Sequence, residues 1–102
     1  MPVAILFLPS LELSQETILV NKASQELSLV VNSNVIWSFD IDKQIQWVTV
    51  TPAKGESTAT VKIHIEANGS GAARSVTLPL KSETLQRNLR IVQSADDVLP
   101  EN

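Results

Sequence analysis

The sequence predicts one all-β domain, an antiparallel β-sandwich of about seven to eight short strands. Apolar and polar side chains alternate with a period of two, and the alternating runs are rich in Val, Ile, Thr and Leu. Turn-forming residues separate these runs, and no window has the periodicity of a helix. Strict alternation is typical of antiparallel strands with one buried and one solvated face. A chain of 102 residues has the size of a single domain with one core.

The alternation also assigns the core. In residues 36–42, Trp37 and Phe39 share one face, while Ser38, Asp40 and Asp42 share the other. The later runs repeat this pattern, and their apolar members are expected to meet in one interior. The predicted core residues are Trp37, Phe39, Val61, Ile63, Ile65, Val76, Leu78, Leu89 and Ile91.

Proline and glycine residues mark turns, loops and one irregular strand position. Residues 51–55 predict a Pro-initiated turn in which Gly55 is free to take a positive φ. Residues 68–71 contain two of the three glycines and predict a flexible loop. Pro79 lies within a strand pattern and cannot donate to a ladder, so its strand is expected to be at an edge or bulged there.

These signals divide the chain into three parts. Residues 1–10 are interpreted as an N-terminal segment or first strand, residues 11–93 as the sandwich, and residues 94–102 as an acidic linker. No stretch reaches the ~20 apolar residues of a membrane span. The net charge of −3 and the scattered basic residues do not favour nucleic acid or an anionic membrane as a partner.

The composition does not favour a catalytic or metal-binding protein. There is no cysteine and only one histidine, His64, which lies mid-strand and is expected to be an exposed strand residue. Asp40 and Asp42 share a strand face about 6–7 Å apart, a spacing that glycosidase carboxylates use, but a solvated strand face explains them. We therefore predict no enzyme activity, no catalytic residue, no metal and no cofactor.

Three further residues are candidates for the ends of the sandwich. Trp47 alternates with Val48 and Val50, so it is expected either to cap the end of the core or to be a single exposed platform for a sugar ring. Arg74 opens a strand and is expected to pair with a carboxylate on a neighbouring strand. Gln93 has an inward register, where it would satisfy backbone groups.

An ordered set of residues over positions 11–93 resembles the BACON domain family, the Bacteroidetes-associated carbohydrate-binding, often N-terminal domains. Two tryptophans, a Pro-x-x-Gly turn, an asparagine, an arginine and a terminal glutamine carry the resemblance. They are Trp37, Trp47, Pro52 with Gly55, Asn68, Arg74 and Gln93, beside the stretches 11–14, 33–34, 61–65 and 91–93.

The resemblance implies an immunoglobulin-like sandwich in a larger, exported bacterial protein, hence an extracytoplasmic location at the cell surface, in the periplasm or secreted. It implies neighbouring domains as partners and no agreed catalytic residues. Two functions stay open. One is an accessory module that weakly binds polysaccharide or mucin glycans, with Trp47 as the candidate ligand-binding residue. The other is a structural spacer that positions neighbouring domains away from the cell surface.

Overall fold

The computed structural model describes residues 8–99, and these form nine strands and no helix. The short runs predicted from the sequence are all present, with one extra two-residue strand after Pro52. The strands are β1 (Leu11–Leu13), β2 (Thr17–Val20), β3 (Gln25–Ser33), β4 (Trp37–Phe39), β5 (Val48–Thr51), β6 (Lys54–Gly55), β7 (Ala59–Ile65), β8 (Arg74–Lys81) and β9 (Gln86–Gln93).

The strands form a two-sheet sandwich, which confirms the predicted fold class. The first sheet has the order β1-β3-β7-β5, and the second has the order β2-β9-β8-β4-β6. All pairs are antiparallel except β2 and β9, which are parallel with Thr17 opposite Arg90 and Val20 opposite Gln93. The expectation of a purely antiparallel sandwich is therefore wrong at this one pair.

The core lies between the two sheets. Eight of the nine predicted core residues are buried, and Val76 is partly buried and packs against the others. Trp37 is the largest fully buried side chain, meets Phe39 edge-to-face with ring centroids 6.1 Å apart, and donates its indole N–H to the Ser57 carbonyl at 2.7 Å. This hydrogen bond matters because the N–H of a buried indole needs an acceptor. Burial of each large apolar side chain contributes about 1.5–3 kcal/mol to the stability of the fold.

Gly55 serves a different purpose from the one predicted. Among the described glycines only Gly71 has a positive φ, so the expectation for Gly55 is wrong. Gly55 instead lies in β6 directly opposite Trp37. A Cβ at position 55 would be 2.5 Å from Cζ2 of the Trp37 ring, so the indole needs a residue without a side chain there.

β8 is an interior strand with an unbroken register, so the expectation of an edge or a bulge at Pro79 is wrong, but Pro79 lies where the second sheet is locally incomplete. β8 is between β9 and β4, but only two of its residues, Leu80 and Lys81, pair with β4. The Pro79 carbonyl accepts a hydrogen bond from the Asp40 N–H at 2.9 Å, just as β4 ends. Residues of β8 before Leu80 have a ladder partner only on the β9 side. A missing N–H on the other side of the strand is therefore tolerated.

The strands define two ends of the sandwich. The proximal end is where β1 begins, with Leu11 opposite Ser33 at the close of β3. The distal end is where β3 begins at Gln25 and β9 finishes at Gln93, whose side chain is bonded to Glu66 just after β7. The two ends are separated by the length of β3, about 26 Å at ~3.3 Å per residue.

Candidate functional site at the distal end

The distal end brings together the residues that the sequence singled out. We call Trp47, Asn68, Arg74 and Gln93 the distal cluster. Trp47 lies just before β5, Asn68 in the loop after β7, Arg74 at the start of β8 and Gln93 at the end of β9. They are distant in sequence and meet only when both sheets close. Each makes a hydrogen bond or ring contact with a different segment.

Gln93 is the buried centre of this cluster, with no exposed surface. Its amide nitrogen donates to the carbonyls of Glu66 at 2.9 Å and Asn21 at 3.2 Å, with Lys22 at the margin at 3.5 Å. Its amide oxygen accepts from Nε of Arg74 at 2.8 Å. The predicted role in satisfying backbone groups agrees with this geometry, because buried carbonyls without a donor are costly.

Arg74 covers the indole of Trp47, with its guanidinium carbon 4.4 Å from the ring centroid. Its NH2 group donates to the carbonyls of Glu66 at 3.0 Å and Ala67 at 3.2 Å, so the expected carboxylate pair is replaced by backbone partners. Partial burial lowers the pKa of Arg74, and the Glu66 carboxylate opposes that shift. Arginine stays protonated at accessible pH, so the guanidinium remains a cation on the ring.

Trp47 therefore caps the end of the core, which is one of its two predicted positions. Val48 and Val50 face the interior. Trp47 is not in register with these two valines, and its half-buried indole packs against the edge of the core. One face of the ring is occupied by Arg74. The ring does not present two free faces to a ligand.

Asn68 anchors the loop that the sequence predicted to be flexible. Only 4% of its surface is exposed, and Nδ2 donates to the carbonyls of Ala72 at 2.8 Å and Ser94 at 3.0 Å. Its Oδ1 accepts from the backbone N–H of Ser70 at 3.1 Å, and its own N–H donates to Lys22 at 2.7 Å. Sequence reasoning took Asn-Gly as a turn signal alone, and the only sign of a buried role was its place in the family pattern.

The chain leaves the distal end along a fixed path. The N–H of Ser94 donates to Val20 at 3.0 Å, and the N–H of Lys22 donates to Asp96 at 2.9 Å. The Ser94 hydroxyl also donates to the Val98 carbonyl at 2.6 Å. The packed domain thus extends past Gln93, and the predicted linker boundary at residue 94 falls inside a docked turn.

The remaining candidate residues are apart from this cluster. His64 lies on the outer face of the first sheet, opposite Thr49 of β5, with Nε2 3.2 Å from Oε1 of Glu66. Asp40 is exposed and pairs with Lys81 at 3.3 Å, while Asp42 accepts from the Gln44 N–H at 2.9 Å. A shallow, open depression lies beside the two aspartates.

The described residues hold no group of three or more His, Asp or Glu side chains arranged for a metal ion. Within residues 8–99, no helix has the length and hydrophobicity to cross a membrane. Of the four aromatic residues, Trp37 and Phe39 are buried and Trp47 is half-buried, while Phe7 lies outside the described residues. The contacts of the distal cluster link strands, loop and tail.

Comparison with known families agrees with the ordered residue pattern. Residues 10–96 match the family described as the viral BACON domain. The chain belongs to the BACON domain family. The match spans all nine strands and the docked turn at Ser94, so the family unit and the packed sandwich coincide.

The fold of this BACON domain recurs in a solved enzyme. A Bacteroides ovatus GH5 xyloglucanase in complex with a XXXG heptasaccharide has a similar region, with a TM-score of 0.76 and 19% identity. The similarity covers 83% of this chain but only 19% of that chain, so the domain corresponds to about one fifth of the enzyme. At this identity the likeness shows the fold alone. No curated protein matches the chain.

Proposed function

We propose that this BACON domain is a non-catalytic accessory module that acts as a structural spacer between neighbouring domains of a longer chain. The observation that carries the proposal is the placement of its two connections. The chain reaches β1 at the proximal end and leaves β9 at the distal end, about 26 Å apart along the strands. A module connected at opposite ends adds its own length to the distance between its neighbours.

Both connections are held in place by side chains. At the proximal end, Asn34 accepts from the N–H of Ser10 at 2.8 Å and donates to the Leu8 carbonyl at 2.9 Å. At the distal end, Ser94 is bonded to the last residue of β2 and Asp96 to the segment after β2. Fixed directions at both ends favour a spacer over a hinge, because a loose connection would let the neighbouring domains pivot freely.

The use of aromatic side chains points the same way. Sugar-binding surfaces depend on flat, accessible rings, since these supply a large contact area at low entropic cost. Here Trp37 and Phe39 are buried, and Arg74 occupies one face of Trp47. The described surface therefore has little of the chemistry that a glycan platform uses.

The relatives also support a proposal for the setting of the module. The family description is viral, and the similar region of the xyloglucanase is a minor part of a larger protein. We place this domain in a longer viral or bacterial protein that works outside the cytoplasm, at a surface, in the periplasm or in the medium. Its immediate partners are then the neighbouring domains of its own chain.

A fusion experiment tests the spacer. Fluorescent reporter proteins joined to the two ends give an energy-transfer distance, which we expect to be narrowly distributed and to shorten when residues 8–99 are removed. The matched control replaces the domain with a Gly/Ser linker of equal length, which behaves as a random coil. Distance distributions that are equally broad for the domain and the linker would contradict the spacer role.

A second function, weak glycan binding, is favoured by one observation: part of the half-buried Trp47 indole stays uncovered at the distal end, in a chain whose family resemblance implies carbohydrate binding. Only the uncovered part of the Trp47 indole is open to a sugar, so we expect affinity no better than millimolar, about −4 kcal/mol. Titration with xyloglucan oligosaccharides and mucin, followed by tryptophan fluorescence, tests this. A saturable shift that disappears in Trp47→Ala supports binding, and a flat response at millimolar glycan excludes it.

A further inference from the structure

We propose that the pairing of β2 with β9 is a mechanical clamp, which keeps the domain folded when its neighbours pull on its two ends. The inference rests on the spacer role, because only a module connected at both ends carries tension. We define the clamp as the β2–β9 ladder together with the hydrogen bonds that flank it on the same two chain segments.

The clamp consists of bonds in one continuous parallel register. The four ladder positions run from Thr17 opposite Arg90 to Val20 opposite Gln93. Before the ladder, the N–H of Arg90 donates to the Glu16 carbonyl at 2.9 Å. Beyond it, the N–H of Ser94 donates to Val20 at 3.0 Å, which continues the register past the last pair.

Two outer contacts lengthen this line in both directions. Nε of Arg87 donates to the Leu11 carbonyl at 2.9 Å on the proximal side, and the N–H of Lys22 donates to Asp96 at 2.9 Å on the distal side. The N-terminal and C-terminal segments are therefore joined from the start of β1 to the docked turn. All of these contacts cross between the same two segments.

The direction of the strands makes these contacts act together under load. β2 and β9 both run from the proximal to the distal end. Tension pulls the chain before β1 outward at the proximal end and the chain after β9 outward at the distal end, so the two strands are driven past each other along their axes. Bonds that cross between sliding strands are strained simultaneously, whereas bonds at a peeling edge break one at a time.

The elements behind the clamp are also firmly held. β9 lies between β2 and β8 and pairs with β8 over eight positions, from Arg74 opposite Gln93 to Lys81 opposite Gln86. On the other strand, Ile18 and Val20 are 6% and 2% exposed and fasten β2 to the core. Sliding therefore also exposes apolar surface, which adds to the resistance.

Single-molecule force spectroscopy tests the clamp by changing the direction of pull. The first geometry attaches handles through fusions at the two chain termini. The second attaches one handle at the N-terminus and the other at Glu83→Cys, an exposed site in the turn before β9, in a chain with no other cysteine. The described chain begins with Leu8 at the proximal end, and Glu83 lies in a turn at the same end, so strands peel apart in the second geometry. We expect a severalfold higher unfolding force in the end-to-end geometry.

Two matched variants locate the resistance. Val20→Ala and Val50→Ala remove the same atoms from nearly buried valines on edge strands, with 2% and 6% exposure, but only Val20 is in the clamp. Urea denaturation is expected to show similar losses of equilibrium stability. Under end-to-end load, we expect Val20→Ala to speed unfolding about tenfold and Val50→Ala by less than about twofold.

Equal unfolding forces in the two geometries would overturn the clamp, and so would equal effects of the two valine variants under load. If Val20→Ala fails to fold, the comparison of geometries on the unaltered chain still decides. Failure here is distinguishable from failure of the spacer, because the energy-transfer distances are measured without load. A narrow distance distribution combined with a low end-to-end force would retain the spacer and eliminate the clamp.

Discussion

Replacing Gln93 with leucine tests the distal cluster directly. Leucine is similar in size but supplies neither donor nor acceptor, so Gln93→Leu removes one bond from Arg74 and leaves the carbonyls of Glu66 and Asn21 without their amide donor. The site is fully buried, so water does not readily replace these partners. The variant should therefore be markedly less stable than the original chain.

The magnitude follows from the bonds that are lost. The bond with the Arg74 guanidinium is charge-assisted and worth about 2 kcal/mol, and each of the two neutral bonds is worth about 1 kcal/mol. The added apolar contact of leucine returns about 1 kcal/mol. The expected net loss of about 3 kcal/mol is a large part of the ~5–15 kcal/mol that stabilises a domain. It corresponds to a fall in Tm of roughly 10–20 °C.

Urea denaturation followed by tryptophan fluorescence measures this loss. Gln86→Leu is the control, since it makes the same change at an exposed position of the same strand and should alter stability by less than about 0.5 kcal/mol. Equal unfolding free energies for the two variants would refute the reasoning, because the buried bonds would then contribute nothing beyond the strand itself.

Two other predictions concern packing and surface charge. Gly55→Ala brings a Cβ against the Trp37 ring and should destabilise the domain by about 1–3 kcal/mol. Gly69→Ala is the control and should be nearly neutral, because a Cβ at position 69 has no atom within 4 Å. Calorimetry compares the two variants, and equal Tm values would contradict the steric argument. Asp40→Asn breaks an exposed pair with Lys81 and should cost less than about 1 kcal/mol by urea denaturation, so a larger loss would refute a solvated role.

The sandwich was predictable because each strand has one buried and one exposed face. The alternation around Trp37 and Phe39, and again through Val61, Ile63 and Ile65, distinguishes interior from exterior without knowledge of which strands pair. The same parity placed Gln93 inside, where a polar side chain needs bonding partners. Period-two hydrophobicity carries this information along one strand at a time.

The pairing of distant segments was not predictable in the same way. The parallel partner of β2 is 73 positions away at Thr17 and Arg90, and four residues of apolar sequence do not specify which strand they join. The alternation predicts that Trp47 points away from the core. Its cover by Arg74 depends on where two chain segments meet at the distal end, which the alternation does not specify. Gly55 was assigned to a turn because glycine serves both positive φ and close approach, and sequence alone does not separate these uses.

The interior position of β9 also has a consequence for biosynthesis. The chain emerges from the ribosome in order, and through Lys81 every strand of the first sheet already has its neighbours, whereas β2 and β8 each lack the strand that lies between them. The part of the core that β9 covers stays exposed to water until β9 inserts between β2 and β8. Acquisition of the native state is thus deferred until β9 has left the ribosome, and the nascent domain stays dependent on whatever shields its open sheet until then.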